Sequence, residues 1–311
     1  MTATIPAAST PAPPVPAPPG RRLDMKRRSI PYWLSLAGAA WLIVLFLIPL
    51  ISGLIVSLMT GNPETGYTLT WNWGVYARIF TGAGSQYGTF LVRSLWYGAA
   101  STVLTIVVGY PLAYFIAFRV RERWKSPLLM LVLLSFLVSF VIRTDMWAFF
   151  LAPQGPVLSA LHDLGIVSKG FRILGTPSAV IGGDTYNTLA YMVLPIYVAL
   201  ERIDGRILEA ADDLYANRRQ VFFRTVLPLS RAGIFAGVLL VFITNVGDPV
   251  NAALLGGSGT YVFGQAIQDA YLTNQQYNVA AALSTVLMVV LGVIMFVYAR
   301  TAGTENIEDL V

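Results

Sequence analysis

The hydrophobic residues of this chain are gathered into long runs and do not alternate with polar ones. Six runs of about 20 residues carry few charges, and an α-helix needs this length to cross a bilayer. They lie at about 33–59, 92–118, 127–150, 179–200, 229–247 and 281–300. The pattern predicts an all-α membrane protein with six transmembrane helices.

The composition agrees with membrane lipids as the surroundings of most of the chain. Hydrophobic residues make up 56% of the 311 residues and charged residues only 12%, which is unusual for a soluble domain. The net charge of +5 does not indicate nucleic acid, because the basic residues lie beside apolar runs and form no separate patch with aromatic readers. There is no cysteine and a single histidine, His162. We therefore expect no disulfide, no metal site and no cofactor in this chain.

The distribution of Lys and Arg predicts the orientation. Sixteen of the 21 basic residues lie in the N-terminal arm, in the connections 119–125 and 201–231, or at the end of the last run, at Arg300. Cytoplasmic loops carry this excess, so both termini and the connection 201–228 are predicted to be cytoplasmic. Residues 1–30 are predicted to be a disordered Pro/Ala-rich tail with a basic arm, residues 31–301 a transmembrane domain, and residues 302–311 an acidic cytoplasmic tail.

The connection 201–228 has the periodicity of a short amphipathic helix. Ile207, Ala211 and Leu214 fall at i, i+4 and i+7 and form one apolar stripe. A second helix, which begins near Phe222, is predicted to lead into the next span. The periodicity alone slightly favours an ordinary basic cytoplasmic loop over a docking element for a soluble partner.

A motif in the same connection reverses this preference. Glu209, Ala210 and Ala211 are followed at a characteristic distance by Leu227 and Pro228. The motif resembles the E-A-A loop of ATP-binding-cassette (ABC) importer permeases, in which a short helix fits a groove on the ATP-hydrolysing subunit. The resemblance implies that this connection couples the membrane domain to a separate ATPase.

The chain departs from the family pattern at two positions of this loop. Tyr215 stands where glycine is usual, and Thr225 stands where isoleucine is usual. Because glycine would supply permissive backbone angles at the bend, Asn217, which tolerates positive φ, is the expected substitute. The Tyr215 ring is a candidate contact with the partner. The residues that the resemblance assigns to coupling are Glu209, Ala210, Ala211, Asp213, Tyr215, Leu227 and Pro228.

Further stretches between residues 90 and 300 resemble the spermidine/putrescine branch of these permeases. They are 141–144 with Trp147, 194–203, 247–249 and 254–257. The resemblance implies the type I ABC importer permease fold with a cytoplasmic coupling helix, in a bacterial inner membrane, and polyamines as the solute. The partners it implies are a second permease subunit, identical or homologous, a cytoplasmic ATPase dimer and an external or periplasmic substrate-binding protein. None of the three lysines follows the glycine pattern of a phosphate loop, so another subunit should hydrolyse ATP.

Polar residues inside or at the rim of the spans are candidates for the solute pathway, because such groups are costly in lipid and usually face a cavity or a partner. Carboxylates and aromatic faces suit the ammonium groups of a polyamine. Aromatic residues are also typical of membrane-interface belts, and Arg143 with Asp145 is compatible with a structural ion pair. The pathway candidates are Trp147, Asp184, Asn187, Tyr191, Asp248 and Asn251.

Three alternatives stay open at this point. The same architecture is compatible with another solute, such as an organic phosphonate or a metal chelate. A polytopic membrane enzyme would need clustered intramembrane His, Asp or Ser residues, and the sequence shows no such cluster. A self-powered secondary transporter would be expected to contain paired inverted repeats, and no internal repeat is evident.

Overall fold

The computed structural model describes residues 32–81, 86–168, 170–214 and 217–302, without the side chains of residues 32–35, 37, 212, 213 and 302. The predicted tail and arm at 1–30 and the predicted acidic tail beyond Ala302 lie outside the described residues. The chain divides into two compact units, residues 1–49 and residues 50–311.

The described residues are mostly helical. The helices are α1 (Tyr32–Leu42), α2 (Ile48–Ser57), α3 (Gly74–Thr81), α4 (Tyr87–Phe118), α5 (Glu122–Leu137), α6 (Phe140–Leu151), α7 (Pro156–Asp163), α8 (Pro177–Glu201), α9 (Gly205–Leu214), α10 (Arg218–Val221), α11 (Leu227–Leu229), α12 (Arg231–Gly247), α13 (Val250–Leu255), α14 (Phe263–Gln268) and α15 (Tyr277–Ala302). There are also π-helical segments at Ile43–Leu47, Phe222–Val226 and Asp269–Thr273, a 3-10 turn at Ser258–Thr260, and strands β1 (Met59–Asn62) and β2 (Gly66–Leu69).

The helices confirm a mostly helical, multi-span protein. Three helical stretches are long and apolar enough to cross a membrane, Gly38–Ser57, Tyr87–Phe118 and Tyr277–Thr301, and two bent helix pairs raise the number to five. The remaining predicted span corresponds to α8, which has the length of a span but contains several polar residues. Length and hydropathy together therefore support three to five spans among the described residues.

The predicted third span, 127–150, is wrong as a single straight helix. α5 ends at Leu137, and the helical stretch that begins at Phe140 is bent from it by 92°. Val138 and Ser139 between them are extended, with ψ of 134° and 133°. Neither is glycine or proline, so no residue type in the sequence indicates the break.

In the second unit, α8 is the central helix and packs against α4 and α12. Glycines let α12 come close: a Cβ on Gly233 would lie 2.5 Å from the carbonyl oxygen of Pro195, and one on Gly237 would lie 2.6 Å from Met192 Sδ. Small residues have this role where membrane helices cross, because they let the two backbones approach. The polar residues of α8 are consequently surrounded by protein on most sides.

A short antiparallel hairpin, β1–β2, follows α2 and was not expected from the sequence. Met59 pairs with Leu69 and Asn62 with Gly66, and Gly66 at the turn has φ of +80°, which favours glycine. The Tyr67 hydroxyl donates to the carbonyl of Gln275 at 2.8 Å. The hairpin thus lies beside the start of α15, and we call this region, with α13 and α14, the hairpin end; the region of α9–α11 is the loop end.

Candidate functional site

At the loop end, α9 presents the E-A-A residues to two different surroundings. Ala211 is buried, and Leu208 packs against the apolar cluster that includes Tyr110 of α4. Glu209 and Ala210 are exposed. One edge of α9 is therefore anchored to the helix bundle, and the other edge faces away from it.

The predicted apolar stripe of α9 is divided between these two edges. Ala211 faces inward together with Leu208, whereas Ile207 and Leu214 are 47% and 79% exposed. Successive residues of a helix are rotated by about 100°, which places Ile207 and Leu214 beside Ala210. The apolar surface of α9 is therefore wider than the stripe predicted from the sequence, and its outer half is uncovered in this chain.

The bend before α10 differs from the sequence prediction. Asn217 precedes α10, and its side-chain oxygen accepts the backbone N–H of Arg219 at 3.0 Å, as expected of a residue that caps a helix. Its φ is −134°, so the expectation that Asn217 supplies a positive φ is wrong. The side chain provides a hydrogen bond to the following helix, and its backbone is ordinary.

The remaining predicted coupling residues fall partly outside the described chain. Leu227 and Pro228 form the start of α11 and are half-buried. Leu227 packs on the same cluster as Leu208. Tyr215 and the side chain of Asp213 lie outside the described residues.

Aromatic packing attaches the segment after the bend to α4. The Phe222 ring lies edge-on to the rings of Tyr110 and Tyr114, with 5.7 Å between the centroids in each case. The Tyr110 hydroxyl and Ser230 Oγ are 3.0 Å apart and buried. Ring packing and this contact therefore attach the segment after the bend to α4.

Three of the pathway candidates meet inside the bundle. Asp184 and Asn187 on α8 and Asn251 on α13 are 4%, 2% and 1% exposed. Asn251 Nδ2 donates to Asp184 Oδ1 at 2.6 Å and to the carbonyl of Val180 at 3.0 Å. Asn187 Nδ2 donates to Asn251 Oδ1 at 3.3 Å and to Thr144 Oγ1 at 2.8 Å. This polar network, Asp184–Asn187–Asn251, joins α6, α8 and α13.

Asp248 lies next to this network, in the link between α12 and α13. Its two carboxylate oxygens accept the backbone N–H groups of Val250 at 2.9 Å and Asn251 at 3.3 Å. Burial raises the pKa of Asp248, and the two hydrogen bonds oppose this rise because they favour the charged form. Asp248 therefore orients the first turn of the helix that carries Asn251.

The two aromatic candidates make ring contacts and, among the described residues, no hydrogen bond to the polar network. The Trp147 ring is 5.4 Å from that of Tyr186, and the Tyr191 ring is 4.7 Å from that of Phe136, measured between centroids. In the described part of the chain, neither aromatic candidate hydrogen-bonds to Asp184. The structure thus separates the six candidates into a buried polar group and two aromatic contacts.

The ion pair considered for Arg143 and Asp145 is not formed. Asp145 is exposed, whereas Arg143 is buried with its guanidinium 5.9 Å from the centroid of the Phe140 ring. Among the described residues, Arg143 Nε has no hydrogen-bond partner. The two side chains, although only one residue apart, point into different surroundings.

Sequence reasoning overlooked two hydroxyl residues that link helices. Asn245 Nδ2 of α12 donates to Ser101 Oγ of α4 at 3.0 Å and to Thr188 Oγ1 of α8 at 3.4 Å. Hydroxyls in helices commonly bond to their own backbone, as Ser101 does to the carbonyl of Tyr97 at 2.6 Å. Nothing in the local sequence distinguishes the hydroxyls that also contact another helix.

Comparison with known sequences gives concordant matches. Residues 109–302 match the family described as the inner membrane component of binding-protein-dependent transport systems. The spermidine/putrescine transport system permease protein PotB of Haemophilus influenzae is 36% identical over 267 residues, which is 86% of this chain and 92% of that protein. PotB of Escherichia coli K12 is 32% identical over 266 residues, which is 86% of this chain and 95% of that protein.

Solved structures with a similar fold include a bacterial ABC transporter involved in the import of the acidic polysaccharide alginate. It has a TM-score of 0.65 and 19% identity, and the match covers 91% of this chain and 98% of that chain. A bacterial alginate ABC transporter in complex with an alginate pentasaccharide-bound periplasmic protein has a TM-score of 0.63 and 19% identity, over 89% of this chain and 95% of that chain. This likeness shows a shared fold.

Proposed function

This chain belongs to the family of binding-protein-dependent transport system inner membrane components, and from that premise we propose that it forms part of the solute pathway of a polyamine importer. As a member of the family, it is a multi-pass inner-membrane permease subunit of an ABC importer. Relatives named as spermidine/putrescine permeases support polyamines as the solute class. The chain carries the solute, and a separate subunit hydrolyses ATP.

The observation that carries the proposal is the uncovered apolar edge of α9. Ile207, Ala210 and Leu214 lie exposed along one side of α9, while Leu208 and Ala211 on the neighbouring side of the same helix are packed against the bundle. An exposed apolar patch rimmed by polar groups is typical of a protein–protein contact. We infer that a groove of the cytoplasmic ATPase covers this edge, so that α9 is the coupling helix.

The proposed assembly contains two permease subunits, an ATPase dimer and a periplasmic substrate-binding protein. The excess of basic residues around the loop end supports an orientation with α9 and both termini in the cytoplasm. α8 completes a set of six spans, because a helix that is surrounded by α4 and α12 does not need an apolar surface on every side. The hairpin end then faces the periplasm.

We place the solute pathway along the side of α8 that carries Asp184 and Asn187. The polar network offers the kind of acceptors that an ammonium group needs, and Asp248 lies beside it. Trp147 and Tyr191 are further candidates because aromatic faces attract organic cations. The burial of the polar side chains and the affinity of carboxylates and aromatic rings for cations support these assignments.

A crosslinking experiment tests the coupling helix. The chain has no cysteine, so a single introduced cysteine is a specific reporter. Leu214→Cys and Leu164→Cys are a matched pair, because the two leucines are 79% and 72% exposed at the ends of α9 and α7, on opposite proposed sides of the membrane. In the assembled transporter, a bifunctional maleimide should link Leu214→Cys, and not Leu164→Cys, to cysteines placed in the ATPase groove. A link from Leu164→Cys alone, or from neither, contradicts the proposal.

An uptake assay tests the solute. The full transporter, reconstituted with its binding protein and internal ATP, should import labelled spermidine or putrescine, and unlabelled polyamine should compete. Import of an organic phosphonate or a metal chelate without polyamine import would establish the alternative solute class. Uptake of polyamine without an ATPase would establish a secondary transporter.

A further inference from the structure

At the hairpin end, a cavity of about 500 Å³ lies apart from the coupling helix and the polar network. It is bounded by the start of α4, the 3-10 turn Ser258–Thr260 with the residue after it, and the π-helical segment Asp269–Thr273. Its lining includes three aromatic rings, one carboxylate and two amides. These are Tyr87, Phe90, Tyr261, Asp269, Gln86 and Asn274.

The aromatic rings form a connected wall. The Phe90 and Tyr261 rings are tilted against each other with centroids 4.7 Å apart, and Tyr87 lies edge-on to Phe90 at 6.3 Å. Rings at these distances fix one another in position. Their faces carry partial negative charge, which attracts ammonium groups.

Asp269 is the charged group of the cavity lining. The Tyr261 hydroxyl donates to its Oδ2, and the other oxygen, Oδ1, has no hydrogen bond within the described chain. Burial, and then the hydrogen bond to Asp269, raise the pKa of Tyr261, so this hydroxyl keeps its proton and holds the carboxylate in place. One carboxylate oxygen is thus fixed, and the other is available to a ligand.

Arg93 of α4 lies near this wall, with its guanidinium 6.0 Å from the centroid of the Phe90 ring, and is not among the described residues that line the cavity. Arg93 Nη1 donates to the backbone carbonyl of Tyr261 at 2.8 Å, and its side chain borders a different depression, together with Trp96. No Lys or Arg is among the described residues that line the cavity. Asp269 therefore gives the described lining of the cavity a negative charge.

The backbone at the carboxylate has an uncommon form. Asp269 is the first residue of a π-helical segment, and such segments are rare and are frequently found at functional sites. The segment contains neither glycine nor proline. The π-helical form is therefore not explained by a residue type that disrupts α-helices.

We propose that this cavity binds the primary ammonium group of an organic cation, with Asp269 as the counter-charge and the Tyr87, Phe90 and Tyr261 rings as the walls. The amides of Gln86 and Asn274 supply further acceptors for N–H groups. A divalent metal ion suits the cavity poorly, because such ions need several oxygen ligands and the described residues contain no group of three His, Cys, Asp or Glu side chains that could hold one. The inference rests on the proposed polyamine function and names a place where the solute is held at the periplasmic face.

A protection experiment tests binding independently of transport. Ser258 lines the cavity and is exposed, so Ser258→Cys in the assembled transporter provides a thiol at the site with little change of shape. Spermidine and putrescine should slow its reaction with a maleimide, read from the mass of this chain, and uncharged 1,4-butanediol should not. Ser178→Cys, at an exposed position of α8, should react at the same rate with and without amine.

The Asp269→Asn variant tests the counter-charge. The side chain keeps its size and can still accept the Tyr261 hydroxyl, so the fold should be retained. Loss of one charge-assisted contact should raise the spermidine concentration for half-maximal protection, and the KM of uptake, by about tenfold. Asp163→Asn removes the same charge at an exposed site of α7 and should leave both quantities unchanged.

The two proposals fail in distinguishable ways. If the wild type imports spermidine while Asp269→Asn has unchanged protection and unchanged KM, the cavity proposal is overturned and the polyamine importer stands. If the wild type imports no polyamine, the proposed function fails, whatever the protection experiment shows. Absence of protection by either amine in the wild type also overturns the cavity proposal.

Discussion

The loop end exposes apolar side chains, whereas the interior of the bundle buries polar ones. At the loop end, the apolar Ile207 and Leu214 are exposed on a helix whose other edge is already packed. In the interior, Asp184, Asn187 and Asn251 are buried and bond to one another. The polar side chains of the interior find most of their hydrogen-bond partners within the described chain, with Asn187 Oδ1 and Arg143 Nε as exceptions, whereas the apolar edge of the loop end is left uncovered.

This difference indicates different consequences of mutation. A buried hydrogen-bonded group that loses its partner is penalised in the folded chain itself. An exposed apolar group contributes little to the stability of its own chain, and its burial is realised on binding. Changes at the loop end should therefore reduce transport with unchanged folding, and changes in the interior should first reduce stability.

Glu209→Lys should have the largest effect on transport. The variant reverses a charge on the exposed face of the proposed coupling helix α9, and like charges or unpaired charges in an interface cost several kcal/mol, so ATP-driven uptake should fall by about a hundredfold. Glu209 is exposed, so the thermal unfolding midpoint in detergent should not change. Glu64→Lys, at an exposed position between β1 and β2, is the control and should transport normally. Normal uptake by Glu209→Lys would contradict the inference that the loop end needs a partner.

Gly233→Val should have the largest effect on stability. A side chain there meets the carbonyl oxygen of Pro195 and the Cβ of Ala199, so α12 must move away from α8, and overpacking of this kind costs about 1–3 kcal/mol. Gly292→Val is the matched change, because a Cβ at Gly292 meets nothing within 4 Å. Fluorescence-detected size-exclusion chromatography after heating measures both. Equal midpoints for the two variants would contradict the close α8–α12 contact.

Asn251→Ala should have a smaller effect on stability. The change removes the donor to Asp184 and Val180 and leaves a buried carboxylate without that partner, at a cost of about 1–2 kcal/mol in a membrane helix bundle. Gln268→Ala, at an exposed position of α14, should leave the midpoint unchanged. The KM of the folded fraction should also rise a few-fold if the network serves the pathway. A raised KM with an unchanged midpoint would assign Asn251 to the solute and not to the fold.

Much of the loop end was predictable because its signals are local. The spacing of Ile207, Ala211 and Leu214 predicted a helix where α9 is observed, and the E-A-A motif lies within it. The same spacing did not show that Leu208 and Ala211 would be covered while Ile207 would stay exposed. That outcome depends on where α4 and the π-helical segment Phe222–Val226 lie.

The spans were predictable from apolar length, but their continuity was not. The break at Val138 and Ser139 has no local signal, since neither residue disrupts a helix by itself. The hairpin β1–β2 was missed for a related reason: Tyr67 and Asn278 hold it through contacts with the start of α15. The hairpin therefore depends on residues more than 200 positions away in the chain.

The order of amino acids was sufficient to establish a lipid environment, the number of long apolar segments and the motif that resembles a coupling loop, because each is a property of neighbouring residues along one helix. Helix packing was required to show that Asn251 reaches Asp184 across 67 positions of the chain, that Asp269 lines one cavity with three aromatic rings, and that one edge of α9 stays uncovered. These contacts depend on how helices approach and turn relative to one another, and periodicity within a segment carries no information about that.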